Sequence, residues 1–293
     1  MSTICLKIAL GVMLSCFNGM AKDWGSYPSL VSYLQAHPVL SVTPLAGGDS
    51  YDQIFKIKTP KEAWVLRILN LKRPFEKRRF ICEATDLIGK ENLGPKVVWH
   101  DSSYQFLITH FIDGTPLTSE DLRDPVLFER LVLLFQKTHD ALETLPFSIE
   151  AYSLKDRVLR RLKEVSVYVS DLIHSNLLKT NIEKIDRLHP SHFVHGDIKG
   201  SNILKTSSGL FLIDLGEGTR SSIYDDLGSF SFSFALSPEQ EKKLLLLYFG
   251  TSPSKEDLST LRQHRWLAEI HHKLWCIRRK LETGFDPSLQ RSS

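Results

Sequence analysis

The sequence predicts an α+β protein in two lobes, a small one carrying a sheet and a larger, mainly helical one. Three observations carry this expectation. From residue 39 the apolar residues follow a period of two in short runs bounded by turns, with one helical stretch interposed. From about residue 120 the pattern is mostly helical. The chain has 293 residues, 42% of them apolar, with 16 Phe and 5 Trp, which exceeds one ordinary domain and suffices for a sizeable core. The same composition excludes a disordered, collagenous or coiled-coil chain. With 37 Lys and Arg against 34 Asp and Glu, the net charge of +3 gives no reason to expect a nucleic-acid partner.

Residues 1–38 form an N-terminal segment, expected to be helical. Its apolar run, Ile8 to Phe17, is too short to span a bilayer. It reads either as a helix packed on the body or as a secretory signal over residues 1–21, with Lys7 before it and Gly19-Met20-Ala21 after it. No later run reaches the length of a stable membrane span. Residues 24–37 read as a short helix stopped at Pro38. The N-lobe, residues 39–110, begins with three strands: Val39 to Leu45, Asp52 to Thr59 and Ala63 to Leu69. Gly47-Gly48-Asp49-Ser50 and Thr59-Pro60-Lys61 supply the turns between them. Residues 75–90 are helical, with Phe80, Ala84, Leu87 and Ile88 on one face, and strands follow at Lys96 to His100 and Tyr104 to Thr109. The C-lobe, residues 111–293, has helices over 125–142, one or two within 152–186, then 224–236, 238–249, 254–260 and 262–281. Short strands are expected near 193–194, 203–206 and 210–213. Cys5, Cys16, Cys82 and Cys276 form no CxxC pair, so neither a zinc site nor a disulfide framework is expected.

The sharpest feature is His195-Gly196-Asp197-Ile198-Lys199-Gly200-Ser201-Asn202, followed by Phe211-Leu212-Ile213-Asp214. The residues between Asn202 and Asp214 read as a hairpin turning at Ser207-Ser208-Gly209, which returns Asp214 to Asn202. Asn202 and Asp214 then offer hard oxygen ligands suited to Mg²⁺, an ion that keeps room for phosphate oxygens. Asp197, on the preceding loop, is placed to accept the proton of an attacking hydroxyl. Phosphoryl transfer asks little more of a protein than in-line positioning and charge neutralisation. His195 suits a brace of this loop better than a base, and Lys199 can reach a transferring phosphate as a point charge.

These motifs, HGDIKGSN and then LIDLG, resemble the catalytic and metal motifs of the aminoglycoside phosphotransferase and choline kinase superfamily. The resemblance spans roughly residues 44–286 and implies a protein-kinase-like fold with a small antiparallel-sheet N-lobe that binds nucleotide. It implies ATP and Mg²⁺ as cofactors, Asp197 as the base, Asn202 and Asp214 as metal ligands, and catalysis with acceptor binding in the C-lobe. It also implies an ATP-gripping cation on the third strand, here Arg67, paired with Glu83 of the following helix or, second, with Glu76. Gly47, Gly48 and Ser50 match the family's turn over the nucleotide phosphates, with Tyr51 where the family often has Asn. Asn92 to Val97 is similar to the entry to its fourth strand. Thr109, Phe111 and Ile112, around an FIDG segment like the family's, would supply backbone groups to the adenine. Asp226, in Tyr224-Asp225-Asp226-Leu227-Gly228, would brace the catalytic loop. A need for ATP favours a cytoplasmic protein over a secreted one.

The resemblance implies a small-molecule hydroxyl compound as acceptor. Choline or ethanolamine stands first, through Trp275 and the Gly284-Phe285-Asp286 stretch, with Trp266, Trp275, Tyr248 and Glu217 as pocket candidates. Two departures count against it: His272 stands where the family's first tryptophan belongs, and Gly216 stands where choline-type members carry Glu. Thiamine, an aminoglycoside, a sugar or methylthioribose remain open, as does an inactive nucleotide-binding module. Between Asp214 and Asp226 there are only eleven residues and no Ala-Pro-Glu anchor, which disfavours a protein kinase.

Overall fold

The structure, a computed structural model, describes residues 27–45, 52–166, 175–183, 185 and 192–284. It divides into two compact units, Met1–Gly114 and Thr115–Ser293. The possible signal segment lies outside the described residues.

In the first unit, α1 (Pro28–Gln35) starts on a proline, whose fixed φ suits a first helical turn. Five strands follow: β1 (Ser41–Pro44), β2 (Gln53–Lys58), β3 (Ala63–Ile68), β4 (Val97–His100) and β5 (Phe106–His110), with α2 (Phe75–Lys90) between β3 and β4. They form one sheet in the order β1-β2-β3-β5-β4, antiparallel throughout. Period-two alternation turns Phe55 and Ile57 of β2 inward, where they join Leu30 and Leu34 of α1 with Trp64, Leu66 and Ile108. The β2–β3 turn is held by Thr59, whose hydroxyl accepts from the Lys61 and Glu62 N–H groups. Cys82, on the buried side of α2, has its thiol pushed up to about 12, chiefly by burial, so it is an inert core filler.

In the second unit, α3 (Pro125–Leu142) is capped by the Asp124 side chain and buries Phe128, Leu131, Phe135 and His139. The helical region expected over 152–186 contains α4 (Leu154–Ser166) and α5 (Ser175–Glu183). β6 (Thr115–Pro116), β8 (Ile203–Lys205) and β9 (Leu210–Leu212) make a small antiparallel sheet, and β7 (His192–Val194) pairs with β10 (Thr219–Ser221). β6 and β10, two and three residues long, are too short to leave a period in the sequence. α6 (Ile223–Ser233) and α7 (Pro238–Phe249) follow, the latter opened by a Ser237–Gln240 capping box.

The two helices expected over 254–260 and 262–281 are one, α8 (Lys255–Thr283), 29 residues long. It opens on a Ser254–Asp257 capping box, contains neither Gly nor Pro, and buries Leu261 completely at the expected break, so nothing interrupts it. Among the described residues no helix is long and apolar enough to cross a membrane.

α6 and α8 meet backbone to backbone at Gly228, where a Cβ would stand 2.6 Å from the His264 carbonyl carbon and 2.7 Å from the Arg265 nitrogen. Gly228→Ala is therefore expected to lower stability by about 1–3 kcal/mol, as an overpacked contact does. Urea midpoints of the two proteins check this, and equal midpoints would mean that the helices separate without cost.

Candidate active site

The site begins with the hairpin. β8 and β9 pair as Ile203↔Leu212, Leu204↔Phe211 and Lys205↔Leu210, and the turn closes with Thr206 N–H donating to the Gly209 carbonyl at 2.9 Å. One step beyond the ladder, Ile213 N–H donates to the Asn202 carbonyl at 3.0 Å. Asp214 is thereby returned beside Asn202. Its own backbone is left-handed (φ 65°, ψ 69°), a conformation that costs a non-glycine residue about 1–2 kcal/mol and is tolerated best by Asn and Asp. The side chain offsets part of that cost, because Oδ1 accepts from Gly216 N–H at 3.1 Å.

The loop before β8 is held from three directions. His195 is fully buried with both nitrogens committed: Nε2 donates to the Ile213 carbonyl at 2.9 Å, and Nδ1 accepts from Asp197 N–H at 3.3 Å. A carbonyl can only accept, so the tautomer is set, and His195 links the two loops rather than acting as a base. Beneath it, Asp226 accepts from His195 N–H at 2.7 Å and Gly196 N–H at 2.8 Å, and from His139 Nε2 at 3.0 Å. Burial alone would raise this carboxyl, but the His139 hydrogen bond and the charges around it hold it below the usual range. Above, Arg157 of α4 donates to the Gly196 carbonyl at 2.6 Å and the Glu217 carbonyl at 3.2 Å. Gly196 itself has φ +80°, and a Cβ there would stand 2.5 Å from the Glu217 oxygen, so only glycine lets the loops touch.

Asp197 projects from this loop half-buried. Its Oδ2 accepts from Lys199 Nζ at 2.9 Å and from Asn202 Nδ2 at 2.9 Å. Asn202 Nδ2 also reaches the Asp197 carbonyl at 2.9 Å. Removal from water and the Asp214 carboxylate push the Asp197 carboxyl up, with Lys199 and His195 pulling the other way. Asp197, Lys199, Asn202 and Asp214 thus form one polar cluster. With its nitrogen turned to Asp197, the Asn202 side chain has its Oδ1 left to accept or to ligate. Among the described residues no group of three or more His, Cys, Asp or Glu forms an all-protein metal cage. One carboxylate and one amide oxygen fit Mg²⁺, which takes few protein ligands and completes its shell with water and phosphate.

In the first unit the expected fork between Arg67 and Glu83 does not form. Arg67 donates instead to Asp52 Oδ2, from Nε at 3.0 Å and Nη2 at 2.8 Å. Register is the reason: Ile54 lies opposite Arg67, so Asp52, two residues earlier, shares its face of the sheet on the diagonal. Asn70 N–H and Arg73 also donate to Asp52. Glu83 is taken by Arg79, one turn back on α2 at 2.8 Å, and by the Tyr104 hydroxyl at 2.7 Å, while Glu76 lies exposed. Thr109 is buried, Phe111 and Ile112 are half-buried, and Lys56 Nζ stands 3.5 Å over the Phe111 ring. Gly47, Gly48, Ser50 and Tyr51 lie outside the described residues.

The acceptor candidates scatter. Tyr248 is a core residue and no pocket wall: it is buried, and its hydroxyl lies 2.7 Å from His139 Nδ1, behind Asp226. Trp266 is half-buried against the cluster of Leu154, Val158 and Leu267. Trp275 is half-buried and stacks on His272, 5.8 Å between ring centres. Glu217 is exposed, and Phe285 and Asp286 lie outside the described residues. Sequence reasoning missed Arg157, His139 and Asp52. For Arg157 a signal existed: it falls in the apolar stripe Leu154, Val158, Leu162 and Val165, where a charge is out of place.

No curated protein sequence matches the chain. Solved structures do match in fold, at low identity. Plasmodium vivax ethanolamine kinase is similar at 14% identity and TM-score 0.65, over 96% of this chain and 91% of its own. Choline kinase LicA from Streptococcus pneumoniae is similar at 17% identity and TM-score 0.61, over 88% and 92%. A spectinomycin phosphotransferase crystallised with ADP and spectinomycin is similar at 13% identity and TM-score 0.56, over 90% and 91%. The fold is therefore the two-lobed kinase-like α+β fold. The model of a phosphotransferase enzyme family matches residues 41–266, most of the chain, and the chain belongs to that family.

Proposed function

We propose that the protein transfers the γ-phosphoryl group of ATP to the hydroxyl of a small molecule. The observation that supports this best is the hairpin that returns Asp214 to Asn202 beside Asp197. Asp197 accepts the acceptor's proton as its oxygen attacks, and Lys199 carries positive charge to the transferring group. Asn202 and Asp214 hold Mg²⁺, which when bound neutralises phosphate charge. His195, Asp226 and Arg157 keep Asp197 in place without touching substrate. In the first unit, Arg67 takes the phosphates with Asp52 in the role expected of Glu83. Gly47, Gly48 and Ser50 cover them, and the backbone of Thr109, Phe111 and Ile112 takes the adenine. A reaction that consumes ATP fits the cytoplasm. Choline and ethanolamine, the amino alcohols named for two of the similar structures, head the acceptors to screen by ADP release.

The direct test is calorimetric titration with Mg²⁺ and ATP. Asp214→Ala is expected to weaken Mg²⁺-dependent ATP binding about tenfold or more. Unchanged affinity in that variant would remove the metal from Asp214 and the proposal with it.

A further inference from the structure

α4 carries Arg157 and Arg161 in the stripe formed by Leu154, Val158, Leu162 and Val165. Such positions face the core, and a charge there persists only with a partner. Arg157 has partners for its Nη groups, the Gly196 and Glu217 carbonyls, yet its Nε is buried and unpartnered. Arg161 is more exceptional. It makes no hydrogen bond or ion pair with any described residue, its Nε is buried and unpartnered, and it is only half-buried overall, so a ligand can reach it. Burial, then the neighbouring Arg278, lower its proton affinity, but a guanidinium keeps its charge in a protein.

Among the described residues no carboxylate pairs with Arg161. Glu164, the nearest acid on α4, is held by Arg278 of α8 at 2.9 Å and lies 3.8 Å from Arg160. Glu217 acts on Arg161 electrostatically but is exposed. His271 of α8 lies within electrostatic reach of Arg161, Arg157 and Arg160; burial first, then those charges, hold it well below its ordinary range. The Tyr152 hydroxyl, beside Arg157 and Arg160, is also buried without a partner. Arg161 thus lies one turn along α4 from Arg157, whose bonds tie that helix to the loop before β8 and to the loop after Asp214.

We infer that Arg161, one turn beyond Arg157 on the same face of α4, forms an anion-binding subsite next to the phosphoryl-transfer cluster, and that the acceptor carries a carboxylate or phosphate group besides its hydroxyl. The acceptor assignment rests on the phosphotransferase reading; the anion site does not. Among the described residues the carboxylates acting on this cluster are Glu164, held by Arg278, Asp156, bonded to Ser153, and the exposed Glu217, so a cationic amino alcohol is disfavoured.

The test uses the full chain saturated with Mg²⁺ and a non-hydrolysable ATP analogue, so that the nucleotide site is filled. It is titrated calorimetrically with inorganic phosphate, glycerol 3-phosphate, glycerate and choline. At least one of the two hydroxyl-bearing anions is expected to bind more tightly than choline. Arg161→Gln is expected to weaken that binding about tenfold or more, Arg161→Lys less, and neither changes affinity for the nucleotide analogue. Arg161→Gln is also expected to unfold at the same or a higher temperature, since an unpaired buried charge is removed. Anions bound equally by Arg161→Gln, choline bound in their place, no anion bound at all, or an unfolding temperature several degrees lower would each overturn the inference. Failure of the phosphotransferase reading shows separately, as a parent chain that does not bind the nucleotide analogue; the anions are then titrated without it.

Discussion

Asp197→Asn is expected to lower turnover by about 10³-fold while ATP affinity stays within a factor of about three. The two carboxylate oxygens and the amide are nearly the same shape, so the loop keeps its path: Gly196 remains bound to Asp226 and Arg157, and His195 remains between the loops. What disappears is the capacity to take a proton from the attacking hydroxyl. Loss of turnover with ATP binding intact separates an enzyme from a nucleotide-binding module, and a variant as active as the parent would remove Asp197 from the chemistry.

The same residue sets a pH signature. Burial and Asp214 raise its pKa, and only the ionised form accepts a proton. Activity should therefore fall on the acid side at a pH above the ordinary carboxylate value of about 3.9. The stability consequence has a definite sign. A carboxyl whose pKa is raised by folding favours the fold most when protonated, below its unfolded pKa, and loses that contribution as pH rises through the folded value. At neutral pH ionised Asp197 thus works against folding, and Asp197→Asn should unfold at the same or a higher temperature. A site that is inactive when made more stable is the pattern of a functional charge. A clear fall in unfolding temperature at pH 7 would instead assign Asp197 a structural role.

The parts of this site that could be read in the sequence are those whose partners are close along the chain. The β8–β9 hairpin announces itself by its turn residues and alternating flanks, and its register then puts Asp214 at Asn202 without further information. α2 and α3 are legible to the residue because Pro74 and the Asp124-Pro125 pair mark their starts. What could not be read are contacts whose partners are set by tertiary packing. His139 meets Asp226 across 87 positions and Tyr248 across 109, so the brace behind the catalytic loop has no local pattern. The resemblance puts the Arg67 partner on a helix, whereas the β2–β3 register puts it on Asp52, the residue just before β2 and fifteen positions earlier than Arg67. An aromatic such as Tyr248 reads equally well as pocket or core until its neighbours are known. The misplaced charges of α4 were visible, but only the structure shows which of them is answered.

Asp226→Ala is the second large effect, and it acts on folding as well as rate. The carboxylate is 1% exposed and serves three donors, two of them the backbone N–H groups of His195 and Gly196 in the loop before β8. Without it those groups and His139 Nε2 are left buried and unanswered, a loss of about 3–5 kcal/mol by comparison with other broken buried pairs. Behind His139, the Tyr248 hydroxyl stays protonated, since burial pushes its pKa up, and it loses a fixed partner as the ring is released. Turnover should fall with stability, because Asp197 is positioned through Gly196 and His195; misplacement by about 1 Å can cost about 10²-fold. ATP affinity in the first unit should move far less. In acid the sign is opposite to that of Asp197: the folded pKa of Asp226 is depressed, so its contribution is complete above its unfolded value near 3.9 and is lost as pH falls through the folded one. Urea midpoints of parent and Asp226→Asn, measured from about pH 7 down to about pH 2, should therefore converge at the acid end. Midpoints that stay parallel over that range, or an Asp226→Ala protein with parental stability and turnover, would mean the catalytic loop is held by something other than this carboxylate.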